Sequence, residues 1–159
     1  MTARRVIPLF PAPLAALPPA ARADACADWL AAGAAGMLAE TAAVNLLAEH
    51  GTWLSRATFT SRCLDIADDL ADIPGGTAAV IRWRAAITGL HRHGATGSEK
   101  AVLRIAASIA AGIPLSLHDA LGSLDHATLR AVLRAIAHAS SGWSGHDLIA
   151  PATSQEPLF

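Results

Sequence analysis

The chain has 159 residues and a formal net charge of −1 at pH 7, with 12 basic and 13 acidic residues. This length suits one domain with its own hydrophobic core, and the balanced charge excludes attraction of nucleic acid through an overall basic excess. Apolar residues make up 53% of the chain, much of it alanine, and aromatic residues only 4%. Because alanine favours helices and strands need more bulky residues, the composition predicts an all-α fold, a compact bundle of five or six helices.

The first 19 residues carry five prolines within an otherwise apolar stretch. Proline fixes its own φ and disfavours helix in the residue before it. We therefore predict an extended Pro-rich arm over residues 1–19, which its leucines allow to pack on the body. No apolar run reaches the ~18 residues of a membrane span without a charge or a proline. The sequence predicts a cytoplasmic protein without a membrane span.

A long helix is predicted over residues 20–49. Leu30, Met37 and Val44 recur every seven residues, as they do in a helix that packs lengthwise against another. Gly51 follows the last apolar residues of this stretch, and glycine commonly ends a helix at that place.

Two helices are predicted on either side of the turn Pro74-Gly75-Gly76, which breaks helices. The first runs from about residue 61 to 72 and the second from 77 to 93, and a connector over 52–60 precedes them. The core residues predicted here are Trp53 and Phe59 of the connector, and Val80, Trp83, Ile87 and Leu90 of the second helix.

Capping signals predict the last three helices. Thr96-Gly-Ser-Glu99 matches the capping box and begins a helix that ends near Gly112. Ser116 begins a short helix to about residue 121. Asp125 begins the last helix, which runs to about residue 138. Its predicted inward residues are Leu129, Val132, Leu133 and Ile136.

The predicted organisation is an arm over 1–19, a single helical domain over 20–139 and an irregular C-terminal tail over 140–159. Cys26 and Cys63 lie far apart in the sequence, without a CxxC spacing. Such isolated cysteines are typically buried thiols, so we predict neither a structural zinc site nor a cofactor.

Four aspartates, Asp65, Asp68, Asp69 and Asp72, share one face of the helix predicted over 61–72. Carboxylates along one face repel each other, so a cationic group is expected to balance them. The arginines of the following helix are one such group and a basic partner is another. The four aspartates are therefore the candidate partner-binding residues.

Asp68, Asp69 and Asp72 also form the pattern DDxxD. It resembles the motif with which trans-prenyltransferases and terpene synthases hold magnesium ions on a substrate diphosphate, and the resemblance covers five residues. Carboxylate oxygens on one helical face suit Mg²⁺. The resemblance implies, as an alternative, a magnesium-dependent enzyme that acts on a diphosphate, although the chain is about half as long as those folds.

The segment 99–138 has the outline of a helix-turn-helix unit. Its last helix carries His126, Arg130, Arg134 and His138 at a spacing of four residues. Basic side chains on such a helix can contact phosphates and base edges. A DNA-binding regulator that uses the predicted helix 125–138 is the other alternative, although the balanced charge makes nucleic acid the less favoured partner.

No nucleophile elbow, P-loop or HExxH motif is present in the sequence. The seam of the first helix and the segregated charges of the next two favour a surface that contacts other proteins. The sequence therefore favours a non-catalytic helical module for protein–protein interaction or regulation, which self-associates or binds a protein partner.

Overall fold

A computed structural model describes residues 12–73 and 75–142. They form a predominantly helical, compact fold, which confirms the predicted class. Five of the nine α-helices in the described residues have fewer than eight residues, so the bundle has more and shorter helices than the composition predicted. The elements are α1 (Ala12–Ala16), α2 (Pro19–Ala34), α3 (Leu38–His50), α4 (Thr52–Ser55), α5 (Ala57–Cys63), β1 (Leu64–Ala67), β2 (Ala78–Ile81), α6 (Trp83–Thr88), a 3₁₀ turn (Leu90–His93), α7 (Gly97–Ala111), α8 (Leu117–Leu121) and α9 (His126–Ser141).

Helix α3 lies at the centre of the fold and contacts α2, α7 and α9. It buries Ala43, Leu46 and Leu47 almost completely. The predicted anchors Trp53 and Phe59 are also buried, which confirms them as core residues.

The predicted helix over 20–49 is interrupted. Helix α2 ends at Ala34 and α3 begins at Leu38, because Gly36 takes a φ of +82° that a helix does not allow. The Oγ1 atom of Thr41 donates a hydrogen bond to the carbonyl oxygen of Ala34 at 3.0 Å across this break. Met37 is 49% exposed, so the predicted seven-residue seam does not continue through it.

The helix predicted over 61–72 is wrong over most of its length, whereas the helix predicted over 77–93 is wrong at its start (77–82), which is followed by α6 and the 3₁₀ turn. Strands β1 and β2 pair antiparallel there, with Leu64 opposite Ile81 and Ala67 opposite Ala78. Leu64 and Ile81 are buried while Asp65 and Val80 are exposed, the alternation that a half-buried hairpin requires. Val80 was predicted in the core and instead lies on the outer face, whereas Trp83 and Leu90 are buried as predicted.

The hairpin is held against α2 by a close backbone contact at Gly33. A β-carbon at this position would clash with the carbonyl oxygen of Ala79 and lie 2.9 Å from the carbonyl carbon. Only glycine therefore lets α2 and β2 approach as closely as they do.

The last part of the arm is helical where extended chain was predicted: α1 covers Ala12–Ala16, and Leu14 is buried. Arg22, which is 7% exposed, binds this segment through its guanidinium group. That group donates hydrogen bonds to the carbonyl oxygens of Leu14 at 3.2 Å, Ala15 at 3.1 Å, Leu17 at 2.8 Å and Ser55 at 2.7 Å.

Three predicted helix starts are confirmed. Thr96, Ser116 and Asp125 each accept a hydrogen bond from the backbone N–H three residues later, and Thr96 with Glu99 forms the complete capping box. Helix α9 extends to Ser141, two residues into the predicted tail, while the remainder of the tail (143–159) and residues 1–11 of the arm lie outside the described residues.

Both cysteines are buried free thiols, as predicted. Burial raises the pKa of the Cys26 thiol to about 11, against the opposing charge of Arg22. None of the helices in the described part of the chain combines the length and apolar character that a membrane crossing needs.

Arg22→Met is expected to lower the free energy of unfolding by about 3 kcal/mol. Methionine keeps most of the apolar stem but leaves four carbonyl oxygens without their cationic donor. Urea unfolding followed by circular dichroism measures the change. Arg84→Met, at an exposed arginine, is the control and should change stability by less than about 0.5 kcal/mol. Equal effects of the two substitutions would contradict the role given to Arg22.

Gly33→Ala is expected to destabilise the fold by about 3 kcal/mol or more, because the added methyl group must push β2 away from α2. Gly36→Ala is the matched control, since open space surrounds that position and only the positive φ opposes alanine. It should cost about 1 kcal/mol. Thermal unfolding of both variants distinguishes a steric clash from backbone strain, and a larger loss at Gly36 would refute the close contact.

Candidate functional site

Helix α9 presents two different faces. It begins at Asp125, whose Oδ1 accepts a hydrogen bond from the backbone N–H of Thr128 at 2.7 Å, and this bond lowers the pKa of the Asp125 carboxyl group. Ala131 and Ala135 are buried on the side towards α3, where Leu46 lies with them in the same groove. The small alanine side chains let the two helices approach closely.

The larger apolar residues of α9 lie on the opposite side. Leu133 and Ile136 are 43% and 47% exposed, although they were predicted to face inward, and only Val132 of the predicted inner face is fully buried. The prediction placed the large apolar residues inward, whereas in the fold Ala131 and Ala135 face α3. The sequence held a signal for this: Ala131 and Ala135 lie one turn apart on the same side of the helix.

The four basic residues predicted to contact DNA do not form one exposed stripe. His126 and Arg130 are exposed, whereas Arg134 and His138 line the groove between α9 and α3. A spacing of four residues advances by about 40° per step around a helix, so the row turns gradually towards α3. Arg134 forms an ion pair there with Glu49.

The four aspartates do not share a helical face, because the segment that carries them is a strand and a loop. Asp65 lies on β1, and its Oδ1 is 3.3 Å from Nε of Arg82. This is an ion pair with an arginine of the following segment, one of the two cationic groups expected from the sequence. Asp68 accepts a hydrogen bond from the hydroxyl group of Thr77 at 2.9 Å, Asp69 has a φ of +59°, and Asp72 is exposed. Their role in binding a partner stays a prediction.

The geometry that the magnesium alternative required is therefore not formed. Asp68, Asp69 and Asp72 lie in the loop between β1 and β2, where helical spacing no longer aligns their carboxylates. Across residues 12–73 and 75–142, no group of three or more His, Cys, Asp or Glu side chains is placed to hold a metal ion.

His50 lies behind the first turn of α9. It shares a cavity of about 200 Å³ with Ala127 and Thr128, and its Nδ1 atom is buried without a hydrogen-bond partner in the described residues. Burial lowers the pKa of His50, with Arg56 acting in the same direction and the carboxylates of Glu99 and Asp125 opposing.

No protein-family model, curated protein or solved structure matches the chain. The function is therefore inferred from the side chains that the fold leaves exposed or gathers into clefts.

The lowered pKa of His50 makes stability depend on pH. The unfolded histidine takes up a proton near its ordinary pKa of 6.5, and the folded one does so only at lower pH. The contribution of His50 to the free energy of unfolding is therefore fully present above pH 6.5 and is lost as pH falls below it. The urea midpoint should therefore fall further between pH 7.5 and pH 5.5 in the natural chain than in the variant His50→Gln. An equal fall in both would show that His50 does not contribute.

Proposed function

We propose that this chain is a non-catalytic interaction module that self-associates through the outer face of α9. The observation that carries the proposal is the exposure of Leu133 and Ile136, nearly half of each side chain, on a helix whose packing face is already filled. With the half-buried Leu129 they form a row at positions i, i+4 and i+7. Such a row is typical of a helix that packs on another helix.

A second copy of the same helix fits this row. In an antiparallel pair centred between residues 133 and 136, Leu133 of one copy meets Ile136 of the other, so the apolar row covers itself. Arg130 then lies opposite position 139, and the two Arg130 residues are about 13 Å apart along the axis. That separation exceeds the ~10 Å screening length at 0.1 M salt, so their repulsion is small.

The expected dimer is weak. A row that spans about 10 Å buries less than the ~1,200 Å² at the lower end of stable interfaces. Association should therefore depend on concentration in the micromolar range, as suits a module whose state is regulated.

The exposed aspartates supply a second surface for a protein partner. Asp68, Asp69 and Asp72 lie in one exposed loop, and a basic partner would complement them. Two free thiols, Cys26 and Cys63, support a reducing compartment such as the cytoplasm. The DNA-binding alternative has less support, because Arg134 is already paired with Glu49.

Sedimentation velocity over a range of concentrations tests the proposal. The natural chain should shift from monomer towards dimer between about 1 and 100 μM, whereas Leu133→Gln/Ile136→Gln should stay monomeric over that range. Leu117→Gln, at a leucine of α8 that is 57% exposed, is the matched control and should associate like the natural chain.

Two results would overturn this function. One is a natural chain that stays monomeric throughout the range, and the other is association that the double substitution leaves unchanged. Circular dichroism checks that the variants fold, which is expected because both substituted side chains are already partly exposed.

A further inference from the structure

A cleft of about 390 Å³ opens where the end of α5, the end of β2, α6 and the 3₁₀ turn meet. Three arginines, Arg62, Arg82 and Arg92, line it together with His93 and the buried thiol of Cys63. None of the described residues that line it is acidic. The hairpin creates this cleft, because it returns the chain from Cys63 to Arg82 and so brings residues from both ends together.

The positive charge of the cleft is only partly compensated. Arg82 is paired through Nε with Asp65, and its NH2 group donates to the backbone carbonyl oxygen of Arg62. The guanidinium groups of Arg62 and Arg92 have neither a hydrogen bond nor a carboxylate partner within residues 12–73 and 75–142. The positive charges of Arg62 and Arg92 therefore lack a partner within these residues, and the contact with the carbonyl oxygen holds the guanidinium group of Arg82 in place.

His93 lies at the base of the cleft, packed against two aromatic rings. It is only 8% exposed, and its ring lies edge-on to Trp53 at 5.7 Å and to Phe59 at 5.8 Å between centroids. Its Nδ1 is 3.4 Å from the hydroxyl oxygen of Thr58, which leaves Nε2 on the side of Gly89, another residue of the cleft wall.

The field of the arginines reaches the groups at the base. Burial is the main cause that lowers the pKa of His93, and Arg56, Arg62 and Arg92 lower it further. Burial raises the pKa of the Cys63 thiol, while Arg82 and Arg62 oppose that rise. Both groups are therefore uncharged near neutral pH, and the arginines supply the charge of the cleft.

From this arrangement we infer that the cleft binds a small phosphomonoester between the guanidinium groups of Arg62, Arg82 and Arg92. A phosphomonoester carries about −1.5 to −2 charges at pH 7, which matches the two uncompensated arginines better than a monocarboxylate does. Guanidinium groups bind phosphate oxygens in a bidentate manner. The volume lies near the lower end of ligand pockets, so the rest of the molecule is small.

This site is independent of the self-association proposed for α9. No residue of α9 lines the cleft, and no lining residue belongs to the apolar row of α9. Loss of phosphate binding and loss of dimerisation can therefore be separated by the variants used for each.

Isothermal titration of phenyl phosphate into the full chain, in a phosphate-free buffer at fixed ionic strength, tests the site. Arg62→Gln and Arg92→Gln should each weaken binding about tenfold, since each removes a charge-assisted hydrogen-bonding group, and the double variant should weaken it further. Arg84→Gln removes an exposed arginine that does not line the cleft and should bind like the natural chain.

Phenyl sulfate and benzoate separate the ligand classes. Both are monoanions of similar size, so each should bind at least about tenfold more weakly than phenyl phosphate, because less negative charge faces the guanidinium groups. Equal binding of benzoate would assign the cleft to carboxylates, and equal binding of phenyl sulfate would remove the charge-matching argument. The inference is also overturned if about 10 mM phenyl phosphate does not bind, or if Arg84→Gln weakens binding as much as Arg62→Gln and Arg92→Gln do.

Melting temperatures of the variants without ligand complete the test. Arg62 and Arg92 are exposed, so their substitution should leave the fold intact. If the double variant melts much earlier than the natural chain, the two single variants decide the result.

Discussion

Close backbone approach at small residues is the constraint on which the rest of this structure depends. Gly33 lets α2 lie directly on β2, and Ala131 and Ala135 let α9 lie directly on α3. With few aromatic residues, the core combines buried leucines and valines with alanines that allow short distances between elements. The larger residues of α9 are displaced outward as a consequence, and this displacement creates the face proposed for self-association.

A network of polar contacts on the inner side of the cleft fixes the position of His93. The guanidinium group of Arg56 lies 5.1 Å from the ring centroid of Trp53, forms an ion pair with Glu99 at 2.8 Å and donates to the carbonyl oxygen of His93 at 2.8 Å. Trp53 Nε1 donates to the carbonyl oxygen of Glu99 at 2.9 Å. The carboxylate of Glu99 is also part of the capping box of α7, so the position of His93 is tied to the start of that helix.

Elements with local signals could be predicted, and elements fixed by tertiary contacts could not. Thr96 and Asp125 mark helix starts because the hydrogen bonds involved span three residues. The hairpin depends on α2, which covers its buried face and lies far from it in the sequence. The spacing of Asp65 and Asp72 also matches a helical period, which favoured the wrong prediction of a helix. The alternation of Leu64 with Asp65, and of Val80 with Ile81, was the weaker signal in the sequence but the one that the fold follows.

The candidate sites divide in the same way. Ala131 and Ala135, one turn apart on α9, could have indicated the face that meets α3, because that information lies within one helix. The cleft could not be found from the sequence, since Arg62 and Arg92 are thirty residues apart and meet only when the strands pair.

The net charge of −1 does not reveal that basic and acidic side chains lie in different places on the hairpin. A near-neutral chain that gathers arginines in a cleft must place carboxylates elsewhere, and here the exposed ones at Asp68, Asp69 and Asp72 lie in the loop at the far end of the hairpin from Arg82. Opposite charges along one hairpin keep the cleft from being neutralised by the chain's own acids, with the exception of Asp65. Overall charge therefore excludes a protein that attracts partners through its total charge, but it says nothing against a local site for an anion.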